Sequence, residues 1–299
     1  MAKAYVLYNP IAGNGKCSEA IEGLKNLISD EIVACDITKS DAYENAISSV
    51  VDDDYLVVCG GDGTLNRFIN QIAEMNIQND IRYYPCGSGN DFAREIGKTR
   101  DDAPFSIKKY IEDLPSVTID GKTSLFLNGV GYGIDGYCCE VGDKQRASSD
   151  KPVNYTSIAI KGLLFHYKPT NAKVTVDGKT YEFRKVWIAP TMKGLYYGGG
   201  MMPAPNQDRG NADGKLSLTI FHDTGALKTL MIFPSIFKGE HVKNEKFVTV
   251  LEGNEITVEF EQPRSAQIDG ETILNVTSYT AKSASLAKNI EEASAAVAE

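Results

Sequence analysis

The sequence predicts an N-terminal α/β domain on a mainly parallel sheet, followed by an antiparallel β domain. Over the first hundred residues short apolar runs alternate with amphipathic stretches, a βαβα order whose crossovers make neighbouring strands parallel. Three of those runs lead directly into glycine-rich turns. Beyond about residue 115, strands of alternating polarity take over, with Asp-Gly pairs at 120–121, 177–178, 213–214 and 269–270. Such pairs favour the tight turns of antiparallel hairpins.

Taken in order, Tyr5–Tyr8 reads as a buried strand that runs into Asn9-Pro10-Ile11-Ala12-Gly13-Asn14-Gly15-Lys16. A helix is expected from Ser18, a fitting N-cap, with Ile21, Leu24, Leu27 and Ile28 on one face. Ile32–Cys35 is the second strand and residues 41–51 the second helix. Tyr55–Cys59 is the third strand, entering Gly60-Gly61-Asp62-Gly63-Thr64, then a helix with Leu65, Phe68, Ile69 and Ile72 inward. Arg82–Tyr84 is the fourth strand, ending in Pro85-Cys86-Gly87-Ser88-Gly89-Asn90-Asp91. In the second half, Val174–Phe183 reads as a hairpin about Asp177-Gly178. Phe247–Leu251 and Glu255–Phe260 read as another, and one helix, over Val153–His166, interrupts the strands ahead of both. The expected boundaries are 1–122, 123–276 and a tail, 277–299, that carries no chemistry of its own.

Composition narrows the function. Thirty-one Lys and Arg against 40 Asp and Glu give a formal charge of −9, which argues against nucleic acid as a partner and against a polybasic membrane anchor. No run approaches the ~20 apolar residues of a membrane span, Thr229–Phe237 being short and broken by Pro234. The N-terminus lacks the pattern of a signal peptide, and the six cysteines show no CxxC spacing, so a reducing, cytoplasmic setting is expected. Cys59 and Cys86 end apolar runs, as buried free thiols do. The three histidines, His166, His222 and His241, are scattered and suggest no zinc site.

The glycine turns carry the chemistry. All βα turns of a parallel sheet open at its carboxyl edge, where backbone N–H groups and helix N-termini receive anions. In the first turn Lys16 is placed to reach a phosphate, although taken by itself the motif reads first as a plain βα turn. The second, with three glycines around Asp62, exceeds what a turn needs and points to phosphate or metal. The third puts Ser88, Asn90 and Asp91 at a helix start, more than capping requires.

Other matches fail. Gly121-Lys122-Thr123 and Gly178-Lys179-Thr180 lack the glycine five positions earlier that a P-loop requires. Gly131-x-Gly133-x-x-Gly136 fits the dinucleotide fingerprint, yet Tyr137-Cys138-Cys139-Glu140 promises no helix after it. Asp177-Gly178 reads as a hairpin turn only. Asp269-Gly270-Glu271 and Asp213-Gly214-Lys215 are open between a turn and a general-base or ligand role. Gly198-Gly199-Gly200 demands irregular backbone.

Together these segments resemble the soluble diacylglycerol kinase-like lipid kinases, which include sphingosine kinases and related bacterial enzymes. The resemblance runs in order along almost the whole chain. It is carried by Asn9-Pro10-x-x-Gly13, Gly60 to Asn66, Pro85-x-Gly87-Ser88-x-Asn90-Asp91-Phe92-Ala93-Arg94 and Asn128-x-x-Gly131-x-Gly133-x-Asp135. It continues through Gly198 to Gly200, Ala204-Pro205-Asn206, Asp213 to Leu216 and Asp269-Gly270-Glu271. The second of these motifs is shared with NAD kinases. The resemblance implies an NAD kinase/diacylglycerol kinase-like α/β domain, a C-terminal β-sandwich and an active site in the cleft between them. It implies nucleotide contacts at Asn9, Pro10, Ile11, Ala12, Gly13, Gly60, Gly61, Asp62, Gly63, Thr64, Leu65, Asn66 and Ser88, with Thr38 a weaker one. Glu271 matches the proton acceptor, and Asp213 with the Lys215 backbone matches a metal position. Two departures stand out: Arg67 occupies a place usually held by Glu, and Ser88 replaces the commoner Thr.

The implied activity is ATP- and Mg²⁺-dependent phosphorylation of a lipid hydroxyl, most readily diacylglycerol to phosphatidic acid. Glu271 and Asp62 would be the catalytic carboxylates. The alternatives are an NAD kinase-type phosphotransferase and, because of Arg67, a non-catalytic nucleotide sensor. The partner is a lipid met transiently at the inner membrane surface, and a homodimer is compatible with the sequence. Lys161, His166, Lys168 and Lys173, and Lys238, Lys243 and Lys246, are two basic clusters that would suit such a contact.

Overall fold

The computed structural model describes residues 2–10, 16–149 and 153–286. They divide into two compact units, Met1–Asp113 and Leu114–Glu299.

The first unit is the βαβα chain that the sequence predicts: β1 (Lys3–Tyr8), α1 (Lys16–Leu24), β2 (Glu31–Asp36), α2 (Ala42–Ser49) and β3 (Tyr55–Gly60). It goes on through α3 (Asp62–Ile72), β4 (Ile81–Pro85), α4 (Asp91–Glu95), β5 (Phe105–Ser106) and α5 (Lys108–Ile111). The sheet order is β2-β1-β3-β4-β5, parallel throughout except for β5, which runs against β4. Every residue of β3 is buried, as expected of a central strand covered on both faces. The helix α1 begins two residues before Ser18, so that residue lies inside it rather than capping it.

The second unit opens with the hairpin β6 (Ser116–Ile119) and β7 (Lys122–Leu125), then β8 (Gly129–Tyr132), α6 (Ile134–Ser148) and α7 (Tyr155–Lys161). A π-helical turn, Gly162–His166, leads to β9 (Thr170–Val176), β10 (Lys179–Val186), β11 (Thr191–Met192) and β12 (Leu216–Phe221). There follow α8 (Ala226–Ile232), 3₁₀ turns at Phe233–Lys238 and His241–Lys243, β13 (Val248–Gly253), β14 (Glu255–Ile268) and β15 (Glu271–Lys282). Their pairings are antiparallel, in the order β13-β12-β11-β8-β14-β15-β6-β7, with β9 and β10 joined through β14. The long strand β14 serves two neighbours: its first half pairs β9 and its last residues pair β8, with register shifts around Arg264. Bulges of that kind bend a strand and let one sheet fold over its own core. That core includes Tyr132, Val174, Leu218, Ile220, Val258 and Tyr279.

Two expectations for this unit are corrected, and a third is met with a change of helical pitch. A helix, α6, does open at the glycine fingerprint, because Gly136 lets it approach β14 so closely that a Cβ there would strike the Ser265 carbonyl. The helix expected over Val153–His166 is α7 plus the π-helical turn. Phe247–Leu251 and Glu255–Phe260 do not form a hairpin with each other: β13 pairs β12, while β14 pairs β15 and β9. The hairpin about Asp177-Gly178 is present as β9–β10.

Candidate functional site

In the first unit, β1, β2, β3 and β4 are parallel and end in step, Tyr8 beside Asp36 and Cys59, and Gly60 beside Pro85. Their following turns therefore share one edge. Ile11, Ala12 and Gly13 lie outside the described residues, as does the Lys16 side chain; Asn9 and Pro10 are half-buried. Thr38 is exposed just past β2. Its N–H and hydroxyl both donate to Asp36 Oδ1, at 3.0 and 2.7 Å, which holds the Asp36 carboxyl below its usual range.

The second and third glycine turns are built as one object. Asp62 accepts the backbone N–H groups of Asp91 (Oδ2, 3.0 Å) and Phe92 (Oδ1, 3.1 Å), capping α4 from a loop about thirty residues away. The Cys86 N–H donates to the Gly60 carbonyl at 2.9 Å, and the buried Tyr83 hydroxyl donates to the same oxygen at 3.0 Å. Gly61 and Gly87 then meet backbone to backbone: a Cβ on Gly61 would lie 3.1 Å from the Gly87 Cα, and one on Gly87 would collide with the Gly61 Cα. Asn90, in the left-handed region at φ 53°, closes the third turn by bonding both the N–H and the carbonyl of Gly87 at 2.9 Å. Its side chain thus shapes the loop, while Ser88 stands exposed at the tip.

The helix α3 starts without a side-chain cap, so the N–H groups at Asp62, Gly63 and Thr64 precede the first intrahelical bond, Leu65 to the Gly61 carbonyl at 3.0 Å. Leu65 and Asn66 are buried, and Thr64 packs over Gly60, where a Cβ would not fit. Arg67 is exposed, with its charge felt at Tyr43. Beneath the edge three thiols cluster, Cys86 Sγ lying 3.0 Å from Cys17 and 3.5 Å from Cys59. The bond to Cys86 and burial push Cys17 well above the usual thiol range, while at Cys86 the bond with Cys17 pulls down and is outweighed by Cys59 and burial, which raise it.

In the second unit Glu271 is exposed at the first position of β15, opposite Ile268. The two residues between them, Asp269 (φ 46°) and Gly270 (φ 95°), form a tight turn of the type that needs left-handed backbone. Asp269 is buried and accepts three backbone N–H groups, from Leu127 (2.6 Å), Asn128 (2.8 Å) and Gly129 (2.9 Å). It therefore clasps two segments and is not a base; of the motif's two carboxylates only Glu271 is exposed. Asp213 and Lys215 lie in one exposed loop, their charged groups 2.9 Å apart, which lowers the one pKa and raises the other. The Lys215 carbonyl already accepts amide N–H groups from Gln207 (3.1 Å) and Asn211 (3.0 Å). With an ammonium on the carboxylate and both carbonyl lone pairs taken, this pair does not fit a cation as it stands. Among the described residues no three His, Cys, Asp or Glu side chains are grouped to hold a metal ion.

Asp135 is a group to which the sequence assigned no role. It is buried at the start of α6 with the buried Tyr197 hydroxyl and the Gly136 N–H beside its carboxylate, none of them aligned as a good hydrogen bond. Burial pushes its carboxyl up to about 6. The signal for it was Gly131: a Cβ there would fall on the Asp135 carboxylate. The fingerprint glycines thus make room for a buried acid and a close helix.

Comparison with known proteins gives a consistent result. Residues 3–118 match the family described as the diacylglycerol kinase catalytic domain, and residues 128–284 match the YegS C-terminal NAD kinase beta sandwich-like domain. The chain is 27% identical to a diacylglycerol kinase of Mycobacterium tuberculosis over 262 residues, covering 83% of this chain and 82% of that protein. It is 23% identical to a diacylglycerol kinase of Bacillus subtilis over 281 residues, covering 91% and 90%. A crystal structure of a diacylglycerol kinase from Bacillus anthracis shares the fold, with TM-score 0.56 and 20% identity over 94% of this chain and 93% of that one.

Proposed function

This chain belongs to the diacylglycerol kinase-like family of bacterial lipid kinases, which phosphorylate a hydroxyl, and we propose that it moves the γ-phosphoryl group of ATP onto a diacylglycerol to give phosphatidic acid. The observation that carries the reading is the Asp62 carboxylate, whose bonds to the Asp91 and Phe92 N–H groups tie the second and third glycine turns together at the sheet's carboxyl edge. Phosphoryl transfer asks for positioning and for neutralising charge spread over the transferred oxygens, more than for covalent chemistry. In this path the N–H groups opening α3 receive phosphate oxygens, and the missing side chains of Gly61 and Gly87 let the second and third turns close on each other beside them. Asn9, Lys16 and Ser88 are assigned to the same nucleotide. The acceptor hydroxyl oxygen attacks the γ-phosphorus, the bond to the bridging oxygen breaks, and ADP leaves with that electron pair. Glu271 takes the hydroxyl proton, held in place by the hairpin that Asp269 anchors. Mg²⁺ brought with the nucleotide would screen its oxygens. The acceptor is reached at the bilayer surface; among the described residues no helix is long and apolar enough to cross a membrane.

The test is a transfer assay with labelled ATP, Mg²⁺ and either diacylglycerol micelles or NAD. Label is expected in phosphatidic acid, and label found only in NADP would overturn the lipid acceptor. Glu271→Gln should still bind ATP while turnover falls about 10²-fold or more. Unchanged turnover in that variant removes Glu271 from its role.

A further inference from the structure

Glu271 sits on a thinly supported stretch of the second unit. Past the register shifts around Arg264, β14 and β15 pair as Ala266 with Ile273, Gln267 with Thr272 and Ile268 with Glu271. The β14 side of this short ladder is backed by β8, through Tyr132, Gly131 and Val130. The β15 side has no strand behind it there, since β15 meets β6 only at Thr280–Lys282. Glu271 therefore lies at the sheet's edge beside a tight turn, and a short ladder of this kind opens locally at little cost.

Helix α6 supplies a brace from outside the sheet. Gly136, Glu140 and Asp143 recur at one-turn spacing, and this face of the helix lies along the hairpin. Gly136 is so close to the Ser265 carbonyl that a Cβ would strike it, and Glu140 accepts the Ser265 hydroxyl at 2.5 Å. Those two contacts hold β14. Asp143, one turn further on, reaches β15 instead, its Oδ2 accepting the Thr272 hydroxyl at 2.6 Å. Its Oδ1 pairs with Arg146, three residues along the same helix, which fixes the direction of the carboxylate. Across the ladder from Thr272, Gln267 accepts the Gly270 N–H on its Oε1 at 2.6 Å. The residues on either side of Glu271 are thus each held by a side chain, Gly270 from within the hairpin and Thr272 from α6.

We propose that Asp143 and Thr272 are positioning residues for Glu271, their bond fixing the strand edge from which the Glu271 carboxylate takes the proton of the acceptor hydroxyl. Asp143 is exposed and Thr272 half-buried, so losing the bond costs the fold little. The chemical step is more demanding, since a displacement of about 1 Å in a reacting group can slow it by about 10²-fold. Their role rests on the assignment of Glu271 as proton acceptor, and the variants below let the two fail separately.

The experiment measures kcat and KM of the full chain with labelled ATP and micellar diacylglycerol, alongside thermal melts. Thr272→Val keeps the branched shape and removes the hydroxyl. Its kcat is expected to fall about 10-fold, while both KM values and the melting temperature stay close to wild type. Thr272→Ser keeps the bond and should recover most of that loss. Asp143→Ala should match Thr272→Val, and the double variant should be no slower than either single one, because the same bond is lost in all three. In a Glu271→Gln background, Thr272→Val should cost nothing further. Additive losses in the double variant, or a full further loss on top of Glu271→Gln, overturn the proposal. So does a loss that follows KM or the melting temperature instead of kcat, as a binding or merely structural role would give. Wild-type kcat in Thr272→Val beside a crippled Glu271→Gln overturns the positioning and leaves the proton acceptor standing. Unchanged turnover in Glu271→Gln overturns the acceptor, and the positioning with it.

Discussion

Asp62 and Asp269 each precede a glycine, each follow a strand, and each accept backbone N–H groups from a distant loop. Asp62 takes two and stays half-buried at the open edge of a parallel sheet; Asp269 takes three and is buried. Sheet type separates them. A βα turn opens onto uncapped helix N-termini, where a carboxylate can organise donors and still face a ligand. A two-residue hairpin turn closes back over its own sheet, and its carboxylate is consumed by structure. Asp135 completes the series, buried with the Tyr197 hydroxyl and the first N–H groups of α6 beside its carboxylate but no well-aligned bond to either oxygen. One side-chain type thus does three jobs, graded by how many donors surround it.

The sharpest way to break this grading is to delete the carboxylates. Asp269→Ala strands three buried N–H donors, and at about 1–3 kcal/mol each the loss is a large part of the stability of a typical domain. A greatly lowered urea midpoint is expected for that variant. Asp62→Ala should cost only about 1 kcal/mol, as for a lost cap, while turnover drops about 10²- to 10³-fold. If melting and turnover respond equally in the two variants, the distinction between a structural and a functional carboxylate fails.

Asp135 gives the next effect, and it appears only as pH varies. Its folded-state pKa of about 6 lies above the ordinary 3.8, so the fold favours the protonated acid. That contribution is fully present below pH about 4 and is lost as pH rises to about 6, at about 1.4 kcal/mol per unit, for roughly 3 kcal/mol in all. Asp36, Asp80, Asp102, Glu140 and Asp213 have lowered values and push the other way, so the wild-type curve alone is ambiguous. The difference between wild type and Asp135→Asn isolates the contribution of this one carboxyl. Melting temperatures should diverge in favour of the variant between pH 4 and pH 6 and run parallel above. Parallel curves throughout would mean that Asp135 finds a partner.

The same three residues mark what the sequence could and could not disclose. The parallel strands were legible because a strand buried on both faces is an unbroken apolar run, as in Tyr55–Cys59. The glycine turns were legible because three glycines around one acid exceed the needs of a turn. Pairing partners were not, since Val248–Gly253 and Glu255–Ile268 show alternation but nothing that says which strand lies opposite. Nor was α6, whose Gly136 and Gly142 weaken helix propensity but leave room for Ser265 and Tyr155. Asp177 and Asp269 look alike in sequence, and both prove to clasp backbone, Asp177 accepting from Asn254 and Glu255 at 2.9 and 2.8 Å. What separates them is a contact from 140 or more positions away, which local pattern does not encode.

Glycines extend the comparison at smaller cost. Gly87 and Gly178 both precede polar residues in turns, yet one faces backbone and the other faces open space. A methyl on Gly87 must displace the Gly61 Cα, so Gly87→Ala should destabilise by about 1–3 kcal/mol, as overpacking does, and should open the joint between the two glycine turns. Nucleotide affinity is then expected to fall by at least 10-fold, roughly the effect of losing one oriented backbone donor. Gly178→Ala meets nothing within 4 Å, and its only penalty is the left-handed φ of 80°, about 1 kcal/mol. Its nucleotide affinity should match wild type. Titration of both variants with a non-hydrolysable ATP analogue, alongside thermal melts, separates the two. Wild-type affinity in Gly87→Ala would mean that the close approach of the second and third turns serves the sheet and not the ligand, and the phosphate cradle would have to be sought at the first turn alone.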